Sequence, residues 1–369
     1  MIYLDYAANT PVDKRVLKAY NDATIKYIAN PNSSHSAGKL AKNKIDSCSK
    51  FIANYFNCDK EGIIYTSGSS ESNNLIIKGI CERNKNNGNH IIISAVEHSS
   101  IVAPVNYLVS NGFDVSIIPL DKNGVVDLKE LKKSITDKTI LVSICAVDGE
   151  LGTIQPIEEI SKIVKKHKNC VFHTDATQAI GKTNIDYNNV DFITFAPHKF
   201  FGLNGMGVLV NRNDIKLTPI IHGGKSTTIY RSGTPVTANV IATKEALKLA
   251  IDNYDKRYKY ISSLNELLRD ELSKLDYVHI NSTTNSIPNT LNISLINKDT
   301  KNIIKKLDKK GIYLSTTTAC SLENTPSKSV LAITGDMELA KNSIRISISH
   351  LTTKKEIIEF LNTFKKITR

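Results

Sequence analysis

The segment VDFITFAPHKFFG, residues 190 to 202, starts as a buried-strand pattern and ends on His198 and Lys199. Lysine at the end of an apolar run puts an amine at the edge of a sheet. Four other runs end in the same way. GIIYT leads into Ser67–Ser70, HIIISAV into His98, TILVSICAV into Asp148 and Glu150, and CVFHTDATQ carries Asp175 and Gln178. Within YTSGSSESNN, a strand, a glycine-containing hydroxyl-rich turn and a helix start gather backbone N–H groups for an anion, most often a phosphate. An ordinary serine N-cap has the same pattern. A phosphate cradle, a strand-end aspartate and a strand-end lysine together suit pyridoxal 5'-phosphate. The lysine makes the Schiff base, and the aspartate keeps the ring nitrogen protonated so that the ring draws electrons.

Such residues need a scaffold that brings strand ends together. Short β-rich runs alternate here with amphipathic helix patterns up to about residue 250. That alternation predicts an α/β fold, a mostly parallel sheet flanked by helices, with ligands bound beyond the carboxyl ends of the strands. After residue 250 comes a long helix pattern, YDKRYKYISSLNELLRDELSKL, followed by shorter alternating segments, as in a smaller α+β unit. The expected division is a large cofactor-binding domain over 14–250 and a small domain made of 1–13 and 251–369.

The 369 residues carry 48 Lys+Arg against 36 Asp+Glu, a formal charge of +12. The lysines are spread over helix-like stretches without aromatic interleaving, so a solvated surface is expected and direct nucleic-acid binding is not. The N-terminus lacks the basic and apolar regions of a secretory signal, and no apolar run nears the roughly 18 residues of a membrane span. The six cysteines are scattered without metal-ligand spacing. A cytoplasmic chain with no metal site and no membrane partner is expected. HGGKSTT and GLNGMG look like phosphate loops but lack the required glycine order. Cys145 and Cys170 fall in strand patterns, and Cys48, Cys58 and Cys81 in or near helices, as packing residues do. Cys320, in STTTACSLENTPSKS, sits in a polar loop and is either incidental or a nucleophile.

Together these motifs resemble the cysteine desulfurases of the class V aminotransferase family over nearly the whole chain. YLDYAANTP is similar to the family's YLDNAATTP, NPNSSHSAG to NPxSxHxxG, YTSGSSESNNLIIKG to FTSGATESDNLAIKG, and HTDATQAIGK to HVDATQSVGK. EHSS, HKFFGLNGMG, RSGT and SIRISIS also correspond. The resemblance implies a homodimeric fold-type-I enzyme with its site at the subunit interface. Lys199 would carry the cofactor and take the Cα proton, Asp175 would pair the ring nitrogen, and Gln178 would bond the ring's O3 oxygen. His98 would stack on the ring and assist proton transfer. Gly68, Ser69, Ser70 and His198 would hold the phosphate, with Thr234 reaching across from the other subunit. Arg345 would grip the carboxylate of L-cysteine, for which a planar fork is suited. Cys320 falls on the family's nucleophile, which attacks the substrate sulfur, leaves alanine and passes its persulfide to a sulfur-acceptor protein.

Four departures qualify the match. Tyr6 replaces an asparagine, Gly149 replaces the second asparagine of VNNEIG, Ala196 replaces a phosphate-binding serine, and KSTTIY lacks the usual Gln/His–Glu pattern. The chain also ends at Arg369 without the tail with which general desulfurases dock an iron–sulfur scaffold, so a more dedicated acceptor is expected. Alternatives are selenocysteine lysis, epimerisation or aminotransfer, which need not use Cys320, and a degenerate homologue acting as a binding subunit.

Overall fold

The computed structural model describes residues 1–224, 226–316 and 325–369. Its strands, in chain order, begin with β1 (Ile2–Tyr3), β2 (Ile63–Thr66), β3 (His90–Ser94) and β4 (Asp114–Ile118). β5 (Thr139–Ser143), β6 (Val171–Asp175), β7 (Phe192–Phe195) and β8 (Gly207–Asn211) follow. β9 (Val278–Ile280), β10 (Thr290–Leu295), β11 (Ile312–Tyr313) and β12 (Ser343–Ser347) complete the series.

Seven strands form one sheet in the order β2-β8-β7-β6-β5-β3-β4. All neighbours pair in parallel except β8, which runs antiparallel to both β2 and β7. The sheet is therefore mostly parallel, as the alternation of patterns predicts. β5, β6, β7 and β8 are buried at every position, because helices cover both faces. Alternate residues of each strand enter different cores. Ile64, Ile91, Ile93 and Leu209 pack with Leu75, Ile76 and Ile80 of the helix Ser69–Asn84. Ile63, Ile92, Ile193 and Val208 pack on the other side with Ile45 and Ile52 of Ser36–Tyr55 and Leu247 of Thr237–Asp252. At the edge of the sheet Gly207 admits no side chain: a Cβ there would lie 2.3 Å from the carbonyl carbon of Gly68. This close approach seats β8 against the turn that opens the helix Ser69–Asn84.

A separate three-stranded antiparallel sheet, β12-β10-β9, and the parallel pair β1–β11 build the remainder. Their core joins Ile2 and Leu4 to Leu264 and Leu268 of the helix Tyr254–Leu272 and to Phe360 and Phe364 of Lys354–Thr368. Among the described residues no helix is long and apolar enough to cross a membrane, and no three His, Cys, Asp or Glu are grouped to hold a metal ion.

We propose that the two cores mark two units, 14–250 and 1–13 with 251–369. Phe172 and Phe360 are fully buried, one in each core. Truncating either to alanine should cost about 3–5 kcal/mol. In denaturant titrations Phe360→Ala should advance one unfolding transition and Phe172→Ala the other. A single transition shifted equally by both variants would show one unit.

Candidate active site

The carboxyl ends of β2, β3, β5, β6 and β7 converge on a cavity of about 1110 Å³, its open mouth included. Ser69, Ser70, His98 and Asp175 line it on one side. Gln178, His198, Lys199 and Arg345 line the rest, with Ala7, Ala8 and Gly149 between them. Asp148 and Glu150 line it too, so ten polar residues singled out from sequence meet in one place. Gly68 is not in the wall itself, but it is the N-cap of the helix that presents Ser69 and Ser70. Thr234 is exposed and does not line this cavity. Cys320 lies outside the described residues, as does Lys225 of KSTTIY. Of the two positions where a family side chain is missing, Gly149 opens onto the cavity, whereas Ala196 is fully buried and is not part of the wall.

Lys199 ends a single 3₁₀ turn, Pro197–Lys199, that follows β7 directly. Its Nζ donates to the carbonyls of Ala7 at 2.9 Å and Ala8 at 2.5 Å. The next strand, β6, ends on Asp175. One carboxylate oxygen of Asp175 accepts the backbone N–H of Thr177 at 2.9 Å, and the other accepts Nδ2 of Asn73 at 2.8 Å. Asn73 also donates to Ser100 Oγ at 2.8 Å, and Ser100 Oγ lies 2.8 Å from Nδ1 of His98. The backbone N–H of Ser100 donates to that same nitrogen, so Nδ1 is an acceptor and the neutral ring carries its proton on Nε2. Burial pushes the His98 imidazole below its usual value; Asp175 opposes this, and Lys199 and Lys328 reinforce it. Burial beside Lys199 and Lys182 likewise drives His198 down to about 4. Both imidazoles are neutral at physiological pH.

Arg345, on β12, is 1 % exposed. Its Nη2 pairs with Asp5 Oδ1 at 3.0 Å, and Nη1 donates to the Gly149 carbonyl at 3.0 Å. Its Nε is buried with no hydrogen-bond partner among the described residues. A substrate carboxylate meeting this guanidinium therefore has to share it with Asp5.

Asn73 and Glu97 are site residues that the sequence reading passed over. Asn73 sits in SSESNN and Glu97 directly precedes His98, so motif position was the available signal. Glu97 Oε1 accepts Ser94 Oγ at 2.5 Å and the Cys145 N–H at 2.8 Å, while Oε2 is buried without a partner among the described residues. Burial pushes its carboxyl up to about 8. Cys145 also faces the cavity, and burial raises its thiol far above the ordinary value, which makes it a poor nucleophile.

The residues present fit pyridoxal phosphate. A helix N-terminus with two serines suits its phosphate, a buried carboxylate its ring nitrogen, and a strand-end amine its aldehyde.

Glu97 sets a pH dependence whose sign follows from its shift. Unfolded, its carboxyl titrates near 4.5; folded, it keeps its proton up to about 8. The stability that this group contributes is whole below about 4.5 and is lost as pH rises to about 8. Glu97→Gln, which mimics the neutral acid, should therefore gain in melting temperature relative to the unmutated chain across that window. A difference independent of pH would mean that Glu97 is ionised in the folded protein.

The aminotransferase class-V family model matches residues 2–360. A cysteine desulfurase IscS from Dictyoglomus turgidum is 37% identical over 371 residues, covering 99% of this chain and 94% of its own. One from Ehrlichia chaffeensis is 38% identical, covering 97% of this chain and 88% of its own. Among solved structures, a NifS-like protein superimposes with a TM-score of 0.93 at 33% identity, covering 99% of this chain and 98% of its own. SspA in complex with cysteine gives 0.84 at 29% identity, covering 96% of this chain and all of its own. With the family match spanning nearly its whole length and relatives above 30% identity at both ends, the chain belongs to the aminotransferase class-V family.

Proposed function

We propose that this chain is a pyridoxal-phosphate-dependent cysteine desulfurase that converts L-cysteine to L-alanine and leaves the sulfur as a persulfide on Cys320. The observation that carries the reading is the single cavity in which Lys199, Asp175, His98 and the serines at a helix N-terminus face one another. Full-length similarity to proteins named cysteine desulfurase supports the choice of reaction within the family.

When bound, pyridoxal phosphate supplies an electron sink for the substrate's Cα. Ser69 and Ser70, with the N–H groups of the first helical turn, would hold its phosphate, and Thr234 would serve a second copy of the chain. Thr234 is exposed between the exposed apolar side chains of Ile229 and Val236, which supports a homodimer. Asp175, held by Thr177 and Asn73, would keep a proton on the ring nitrogen. Lys199 would anchor the cofactor and then carry the proton between Cα and Cβ. Neutral His98 offers its Nε2–H toward the cavity as a second proton donor. Arg345 would orient the substrate carboxylate. The Cys320 thiolate would attack the substrate sulfur; the C–S bond breaks, its electron pair returns to the substrate carbon, and protonation there gives alanine. A sulfur-acceptor protein would take the persulfide.

Lys199→Ala should lose the visible absorption of the bound cofactor after dialysis and lower alanine formation by roughly 10²–10⁴-fold. Cys320→Ser should retain the absorption but form no persulfide and release no sulfide, because a hydroxyl cannot store sulfur. Persulfide mapping by mass spectrometry after incubation with L-cysteine separates the outcomes. Normal turnover in Cys320→Ser would move the reading to a lyase or epimerase of the same family.

A further inference from the structure

Gln178 and Lys182 lie four residues apart in the turn that follows β6. Backbone bonds from Ile180 and Lys182 to the carbonyls of Ala176 and Ala179, at 3.1 and 3.0 Å, close that turn. Gly181 lets it reverse: its φ is +72°, and a Cβ there would meet the Ala250 Cβ at 2.9 Å. The reversal brings Lys182 Nζ to 2.6 Å from Gln178 Oε1. The other end of the amide, Nε2, donates to the Ala7 carbonyl at 2.9 Å, which also accepts Lys199 Nζ.

These contacts define which way the amide faces. A carbonyl can only accept, so the atom against Ala7 must be the nitrogen. The oxygen is then turned to Lys182, whose amine donates to it. One N–H of Gln178 is left without an acceptor among the described residues, in a side chain that lines the cavity. Gly149 lines the same cavity without a side chain to donate, so that N–H is a donor offered to an anionic oxygen beside Lys199.

We propose that Lys182 is a positioning residue: it locks the Gln178 amide so that its free N–H meets the phenolic oxygen of pyridoxal phosphate. The inference rests on the cofactor reading given above. Without Lys182 the amide oxygen would be half-buried with no donor, and the side chain would be free to rotate away. The charged groups around the lysine are Lys199, Arg345 and Arg257, the titratable His198 and His350 nearby are neutral, and among the described residues no carboxylate lines the smaller cavity that Lys182 shares with Arg257. Burial among these cations pushes Lys182 down to about 7, but the geometry holds for the amine in either protonation state, since both forms can donate.

The test is a double-mutant cycle in the holoenzyme, read by the pH midpoint of the visible cofactor band and by the dissociation constant of pyridoxal phosphate. Lys182→Met should raise the midpoint by about one unit and weaken cofactor binding about tenfold, the loss of one hydrogen bond to a charged oxygen. Lys182→Arg, which keeps a donor, should restore both. Gln178→Ala should produce the same shift, and the double variant Lys182→Met with Gln178→Ala should shift no further. If Lys182→Met does not fold, Lys182→Leu, which likewise removes the donor, replaces it with the same expected direction. Additive shifts would show that Lys182 acts on the cofactor by its charge alone, and an unmoved midpoint that it does not act at all; either overturns the inference while leaving the cofactor reading intact. An unmutated chain that takes up no pyridoxal phosphate overturns both.

Discussion

Six residues near the N-terminus, 5–10, hold the site together, chiefly through their backbone. The carbonyls of Ala7 and Ala8 accept the amine of Lys199, and the N–H and hydroxyl of Thr10 both donate to the His198 carbonyl, at 3.1 and 2.7 Å. Asp5 pairs with Arg345, and Ser347 Oγ takes the Ala7 N–H at 2.9 Å. Residues 5–10 thus tie the end of β7 to β12, which belong to different sheets. Backbone carbonyls are suited to this, because they cannot titrate and their direction is set by the chain. The two carbonyls fix the direction in which the amine is held at the cavity wall.

The cavity balances its charges by burial as much as by pairing. Lys199, Lys328 and Arg345 line the cavity, where their cations suit the phosphate of the proposed cofactor and the carboxylate of the proposed substrate. Both oxygens of Asp175 accept a donor, whereas Glu97 has one oxygen unpaired among the described residues and burial pushes it toward its neutral form. Neutral imidazoles at 98 and 198 follow from burial and from Lys199, reinforced by Lys328 at the first and Lys182 at the second. The protein thus keeps the Glu97 carboxyl and the two imidazoles neutral near neutral pH within one cavity, which separates proton donors from acceptors there.

The sequence resolved those features in which a residue's role follows from its neighbours along the chain. An apolar run with a polar terminator places its last residue at the carboxyl edge of a parallel sheet, so Asp175, His98 and Lys199 were readable one strand at a time. The Ser-rich turn before Leu75 was readable as a helix start for the same reason. Partners distant in sequence were not readable. Asn73 joins His98 to Asp175 only because helix Ser69–Asn84 crosses the strand ends at that height, and the Asp5–Arg345 pair spans 340 residues. Ala196, expected to face the cofactor, is packed in the core because the 3₁₀ turn after it directs His198 and Lys199 outward instead.

By itself, then, the sequence determined the class of fold, the edge on which chemistry could occur and the residue types available there. Periodicity and strand endings are local properties, and sterics of the chain carry them directly into structure. Which carbonyl holds which amine, which carboxyl loses its charge and which way the Gln178 amide faces were decided only in the tertiary structure. Those outcomes depend on desolvation and on donor–acceptor geometry between segments far apart in the chain, and neither exists until the two sheets and the N-terminal segment have packed.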